Sequence, residues 1–83
     1  MDQPKVFYLG TAQSMRQHNC VVLEDGRRPI LVFNLDTIRG FRNVEVLYCY
    51  SWHSKPFSQR AGVINYLKNI IGIIKWTDLC QER

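Results

Sequence analysis

The sequence lacks an apolar run long enough to cross a membrane. Its longest apolar stretch, IIGIIKW at residues 70–76, carries a lysine and falls short of the roughly 20 residues that span a bilayer. The N-terminal MDQPKVFYLG has an acidic second residue and too short an apolar run for a secretory signal. We therefore expect a cytoplasmic protein that does not contact a membrane.

Cysteine is scarce, and the three cysteines are widely spaced. Cys20, Cys49 and Cys80 form no CxxC pair, and their number is odd, which argues against a disulfide scaffold. The combination of His18 and Cys20 with Cys49 or His53 lacks the paired close spacings of a zinc site. We expect reduced, mostly buried thiols, with no metal and no cofactor.

The chain also lacks a glycine-rich phosphate loop. The stretch YLGTAQS, residues 8–14, resembles the first strand-to-helix turn of some nucleotide-binding folds, but it has one glycine and no phosphate-binding lysine. A nucleotide pocket at Gly10–Ser14 with Asp36 nearby is therefore our weakest functional hypothesis. Capping of a helical turn also accounts for Asp36, and we favour that interpretation.

Length and charge set the next limits. A chain of 83 residues, with 46% apolar and 22% charged residues, predicts one folded domain, 1–83, with a small core. The net charge of +4 is concentrated between Gly26 and Arg60, where six basic residues are opposed by two acidic ones. If these six share a face, they would bind phosphates, nucleic acid or an acidic protein surface. They are Arg27, Arg28, Arg39, Arg42, Lys55 and Arg60.

The apolar pattern predicts an α+β fold. It consists of a small antiparallel or mixed β-sheet of about four strands, including a hairpin, with one long C-terminal amphipathic helix packed on one face. The strands are placed at residues 5–9, 20–24, 30–35 and 44–52. The hairpin is CVVLEDGRRPILVFNL, turning at Asp25-Gly26. Asp36 is expected to cap a single helical turn that Gly40 ends.

The helix is predicted from residue 63 to about Lys75. Its apolar residues cover about half of the helical wheel, more than a surface helix needs. We therefore expect the helix to lie in a groove on the sheet, or to contact a partner as well, such as its own copy in a homodimer. These apolar residues are Val63, Ile64, Tyr66, Leu67, Ile70, Ile71, Ile73 and Ile74. An alternative makes IIGIIKW a buried β-strand, since it is β-branched and contains Gly72.

The stretch LYCYSWHSKPF, residues 47–57, raises the question of a catalytic Cys–His pair. In an extended strand Cys49 and His53 would lie roughly 13 Å apart, whereas a nucleophile and its base need contact near 3 Å. Pairing of His18 with Cys49, or of His53 with Cys20, has no support in the sequence. We therefore assign no catalytic residue and favour a protein that is not an enzyme.

The same strand would place three large aromatic residues, Tyr48, Tyr50 and Trp52, on one face. If the helix covers that face, the rings belong to the core. If it covers the other face, the rings are exposed near Arg42, Lys55 and Arg60 as a stacking surface or binding hot spot.

We predict a small non-enzymatic binding module whose basic, partly aromatic face holds a macromolecular partner. A protein partner is the first choice, with an adaptor or inhibitor of viral or mobile-element origin as the expected type. The alternatives are binding of RNA or single-stranded DNA and, more weakly, of a nucleotide ligand. A homodimer is expected because the core is small and the helix is apolar over a wide arc.

Overall fold

Four parallel strands form one sheet in the order β2-β1-β3-β4 in the computed structural model, which describes residues 3–79. The strands are β1 (Val6–Leu9), β2 (Ile30–Leu31), β3 (Val44–Tyr48) and β4 (Ile73–Asp78). β1 pairs with β2 on one side and with β3 on the other, and β3 pairs with β4.

A helical segment precedes each return of the chain to the sheet, as parallel strands require. α1 (Ala12–Gln17) follows β1, and α2 (Leu35–Ile38) follows β2. After β3 come a 3-10 helix (Tyr50–Ser54), α3 (Phe57–Arg60), α4 (Val63–Tyr66) and a π-helical turn (Leu67–Ile71). No helix within residues 3–79 is long and apolar enough to cross a membrane.

The core has two parts, one on each face of the sheet. On the first face Phe7, Leu9, Val44 and Val46 pack against residues of α2, of α4 and of the π-helical turn, such as Ile38, Val63 and Leu67. On the second face Tyr8 packs with Met15 of α1 and with two buried thiols, Cys20 and Cys49. Helices on both faces of a parallel sheet define a doubly wound arrangement.

The expectation of helices combined with a sheet is confirmed, but the predicted antiparallel or mixed sheet and its hairpin are wrong. Residues 20–24 form no strand, and β2 pairs with β1, so that Val32 N–H donates to Tyr8 O at 3.0 Å. The turn chemistry misled the prediction. Residues 23–27 do form a turn, closed by Leu23 N–H donating to Arg27 O at 2.8 Å, but the turn joins no pair of strands.

The long helix was placed too far toward the C-terminus. Helical structure ends at Ile71, Gly72 adopts a positive φ of 91°, and the chain then enters β4. The alternative interpretation of IIGIIKW as a strand is therefore correct for residues 73–76 but wrong for Ile70 and Ile71, and the strand is not buried, since Ile74 is 54% exposed. A left-handed glycine ends a helix readily, and the β-branched residues that follow suit a strand.

Two smaller predictions about boundaries also needed correction. Asn34, not Asp36, is the N-cap of α2, and it forms a capping box with Thr37. β3 ends at Tyr48 rather than Trp52, because the backbone turns into the 3-10 helix after Cys49. This second difference changes which aromatic residues are exposed.

Candidate functional site

The carboxyl edge of the sheet is the natural place for a site in this fold. β2 lies on one side of β1 and β3 lies on the other, so the order of the strands reverses between β1 and β3. This boundary is the topological switch point of the sheet. Ligands of doubly wound folds bind outside the carboxyl ends of the strands at such a point. The segments that meet here begin at Gly10, after β1, and at Cys49, after β3.

A network of hydroxyl groups joins these two segments. Ser51 Oγ accepts a hydrogen bond from Thr11 N–H at 3.0 Å and lies 2.7 Å from Ser14 Oγ. Ser14 Oγ donates to Thr11 O at 2.9 Å and lies 2.8 Å from the Tyr8 hydroxyl. Within residues 3–79 no buried side-chain nitrogen or oxygen lacks a partner. The hydroxyl groups at this turn therefore bond to one another and to Thr11.

The hypothesis of a nucleotide pocket gains no support from this geometry. Thr11 N–H and the Ser14 and Ser51 hydroxyls already satisfy one another, and Asp36 pairs with Arg39 at 3.4 Å on the surface. We do not carry this hypothesis further.

Ionisation of the buried Tyr8 should limit stability in alkali. Burial raises the pKa of Tyr8 well above its usual range. A group whose pKa is raised on folding stabilises the fold fully below its unfolded pKa, about 10 for tyrosine, and loses that contribution as the pH rises further. We expect the urea midpoint of the wild type to fall steeply above about pH 10 and that of Tyr8→Phe to fall less. Tyr50→Phe, at an exposed position, should follow the wild type, and an equal loss in all three proteins would contradict this explanation.

Lys55 lies across the same edge and has no acidic partner among residues 3–79. Its Nζ donates to Val32 O at 2.9 Å and to Gly10 O at 3.5 Å. The ammonium lies 5.8 Å from the Phe33 ring centroid and 5.6 Å from that of Trp52. Burial lowers the pKa of Lys55. The charge is thus held by carbonyl oxygens and aromatic faces rather than by a carboxylate.

Three exposed aromatic residues that follow β2 and β3 in the chain, together with Lys55 and Arg60, form a surface that we call the carboxyl-edge patch. Phe33 is 58% exposed, Tyr50 70% and Phe57 72%. The Arg60 guanidinium lies 5.7 Å from the Phe57 centroid, and its Nε donates to Lys55 O at 2.9 Å. The patch comprises Phe33, Tyr50, Lys55, Phe57 and Arg60.

The six basic residues predicted to bind a partner do not lie together. Lys55 and Arg60 belong to the carboxyl-edge patch. Arg42 precedes β3 and lies near the amino edge, and the exposed Arg39 follows α2. Arg28 lines a cavity of about 280 Å³ beside Pro4 and Lys5 at the amino end of β1.

Arg27 is engaged in ion pairs at this amino edge. It contacts Asp25 at 2.8 Å and Glu45 at 3.3 Å. The hydrogen bond to Arg27 lowers the pKa of Asp25, and its bonds to Asp25 and then to Glu45 raise the pKa of Arg27. The guanidinium therefore stabilises the turn.

The three predicted stacking residues occupy different environments. Trp52 is 2% exposed and belongs to the core, Tyr48 is half-buried against that core, and Tyr50 is exposed. The core alternative thus holds for Trp52, and the surface alternative holds for Tyr50. The turn after Cys49 breaks the alternation on which the prediction relied.

A thiol and an imidazole meet on the other face of the sheet. Cys49 Sγ lies 3.5 Å from His18 Nε2, a pairing that the sequence did not support. His53 instead hydrogen-bonds to the Tyr48 hydroxyl. In the part of the chain from Gln3 to Leu79, no group of three or more His, Cys, Asp or Glu side chains could hold a metal ion. Cys80 lies outside the described residues.

Sequence reasoning missed Phe33 and Phe57. Phe33 lies two positions after the end of β2, and Phe57 directly follows Pro56, which has no backbone N–H to donate to a strand. In a parallel sheet, an aromatic residue that follows a strand lies near the carboxyl edge and can be exposed there. This signal can be used only once the strands are known to be parallel.

Scans against protein-family models, curated proteins and solved structures each found no match to this chain. The fold and the carboxyl-edge patch therefore define the protein only as a small doubly wound domain with an exposed aromatic and basic surface.

Proposed function

We propose that this protein is a non-enzymatic binding module that holds an acidic protein surface through the carboxyl-edge patch. The observation that carries the proposal is the exposure of Phe33 and Phe57 beside Lys55 and Arg60, two cations that have no carboxylate partner within residues 3–79. Aromatic residues and arginine are the side chains most enriched at the energetic centres of protein interfaces.

The chemistry of the patch favours a partner with apolar groups bordered by carboxylates. Phe33 and Phe57 would insert among the apolar groups, and Lys55 and Arg60 would pair with Asp or Glu at the rim. Because Lys55 is partly desolvated before binding, less water would have to be removed from its ammonium when a carboxylate approaches.

The distribution of charge favours a protein over a nucleic acid. A single strand needs cations along several successive phosphates as well as stacking rings. The patch offers only Lys55 and Arg60, while Arg27 and Arg28 lie near the opposite edge, where Arg27 is already paired with acidic residues. We therefore propose a protein partner, and the experiment below includes nucleic-acid binding as a result that would contradict it.

The test is selection of a random peptide library displayed on phage against the immobilised protein. We expect enriched peptides that combine Asp or Glu with apolar residues. Phe33→Ser/Phe57→Ser should weaken their binding by more than about tenfold, the loss expected when interface hot spots are removed. Val22→Ser, which removes an exposed apolar side chain outside the patch, should bind as the wild type does.

Two results would contradict the proposal. One is a set of enriched peptides whose binding is unchanged in Phe33→Ser/Phe57→Ser. The other is saturable binding of fluorescent oligo(dT) or random RNA that falls steeply between about 0.05 and 0.2 M salt, because release of counterions would identify a nucleic-acid site.

The expected homodimer belongs to the same proposal. β4 pairs only with β3 within the described sheet, and Ile74 is exposed on this edge strand. An identical strand can supply the missing backbone partners. We expect light scattering to give twice the chain mass for the wild type and the chain mass for Ile74→Lys. A wild type that is monomeric at about 100 μM would contradict the proposed dimer.

A cytoplasmic location remains an expectation.

A further inference from the structure

Cys49 and His18 form a thiol–imidazole pair at the switch point. Cys49 is the first residue after β3, and its N–H donates to Leu9 O at 2.9 Å, which fixes its position beside β1. His18 is the C-cap residue of α1. The Sγ–Nε2 distance of 3.5 Å is a hydrogen-bond contact for sulfur. Two separate elements of the fold thus bring the pair together.

The Tyr8 hydroxyl provides a second polar contact to the same sulfur. Burial is the largest cause that raises the pKa of Tyr8, and its hydrogen bond to Cys49 raises it further. The phenol therefore remains a neutral O–H group that can donate to the sulfur. A hydroxyl group that donates a hydrogen bond to the sulfur favours the thiolate over the thiol.

A second thiol lies against the same histidine. Cys20 Sγ contacts His18 O at 3.5 Å, and both sulfurs belong to the buried cluster formed with Tyr8 and Met15. Burial raises the pKa of Cys20, and the charge of Cys49 raises it further. When Cys49 is a thiolate, Cys20 therefore stays protonated, which gives the two sulfurs different reactivities.

We propose that Cys49 is a nucleophilic thiol that small hydroperoxides oxidise, with Cys20 as the resolving thiol. His18 accepts the Cys49 thiol proton, the Cys49 sulfur attacks one oxygen of the hydroperoxide, the O–O bond breaks, and His18 passes the proton to the departing oxygen. The products are a sulfenic acid and water or an alcohol. The Cys20 thiol then attacks the Cys49 sulfur, the S–O bond breaks, and the Cys20 proton leaves with the hydroxyl group as water. A disulfide remains.

The burial of the site limits the oxidant to a small molecule. Cys49 is 3% exposed and Cys20 5%, so a bulky electrophile cannot reach either sulfur directly. Hydrogen peroxide is of the size of two water molecules and is the probe that we choose. The thiol pair and the carboxyl-edge patch have no residue in common, so a failure of one proposal leaves the other unchanged.

The experiment uses the full chain with Cys80→Ser, which leaves the two thiols in question. Treatment with hydrogen peroxide should remove two hydrogen atoms by intact mass and all free thiols. Adding Cys20→Ser should stop the reaction at a sulfenic acid that dimedone traps on Cys49. Adding His18→Gln should slow the first step by about tenfold or more, whereas His53→Gln, the matched change at the other histidine, should not.

Peptide mapping of the Cys80→Ser protein after peroxide treatment in the presence of dimedone locates the first modified sulfur without any further substitution, so the test does not depend on whether other variants fold. A dimedone adduct on Cys20, or a rate no faster than that of the urea-unfolded chain, would overturn the role of Cys49. A Cys49 sulfenic acid that persists in the presence of Cys20 would overturn the resolving role. A His18→Gln rate equal to that of the parent would overturn the activation by histidine.

Discussion

Trp52→Ala should lower the free energy of unfolding by about 3–5 kcal/mol, enough to unfold much of a domain this small. The Trp52 ring is 2% exposed and packs in the main core. Its removal leaves a cavity that the surrounding β-sheet cannot fill by relaxation. Urea denaturation followed by circular dichroism measures the change.

Trp76→Ala is the matched control for this prediction. Trp76 lies in β4, is 38% exposed and stacks on the Tyr48 ring at a centroid distance of 5.4 Å. We expect a loss of about 1 kcal/mol or less, because most of its contact area is not in the core. Equal losses of unfolding free energy for the two substitutions would mean that Trp52 is not in the core. The backbone would then not turn after Cys49 as described.

Gly10→Ala is expected to cost about 1–3 kcal/mol and to disturb the hydroxyl network. A Cβ at Gly10 would lie 2.7 Å from both Ser51 Oγ and Tyr8 Cε2, and 3.2 Å from Cys49 Cβ. Tyr8 is held in β1, and Ser51 is held in the 3-10 helix, so the side chains cannot move apart without disturbing the Ser14–Ser51 contact. Thermal and urea unfolding measure the loss.

A double-mutant cycle separates this clash from a general cost of adding a methyl group. Ser51→Ala removes the oxygen that the new Cβ would meet, so Gly10→Ala should cost less in a Ser51→Ala background than in the wild type. The contact with Tyr8 would remain, and relief should therefore be partial. Additive losses would show that Gly10 and Ser51 do not touch.

The sequence predicted the local elements better than their pairing. β1 was expected at residues 5–9 and is found at Val6–Leu9, because a short β-rich run ended by Gly10 has few alternatives. The direction of the strands could not be derived in the same way. The turn at Asp25-Gly26 suits a hairpin, and only the pairing of β2 with β1 across the chain excludes one.

The site was less predictable than the fold because its contacts are remote in sequence. Ser14 and Ser51 are separated by 37 positions, and Cys49 and His18 by 31. Neither pair follows a spacing rule within one element. The exposure of Tyr50 next to the burial of Trp52 depends on a 3-10 helix that residue alternation in a strand cannot reveal.

The most direct test of this account is whether the strands are parallel, because the carboxyl-edge patch exists only if the ends of β1, β2 and β3 lie at one edge. Nuclear Overhauser contacts between backbone protons measure this. We expect contacts that join Phe7 to Val46 and Val46 to Trp76 in parallel registers. A ladder of antiparallel contacts between residues 20–24 and 30–35 would contradict the fold and the binding surface together.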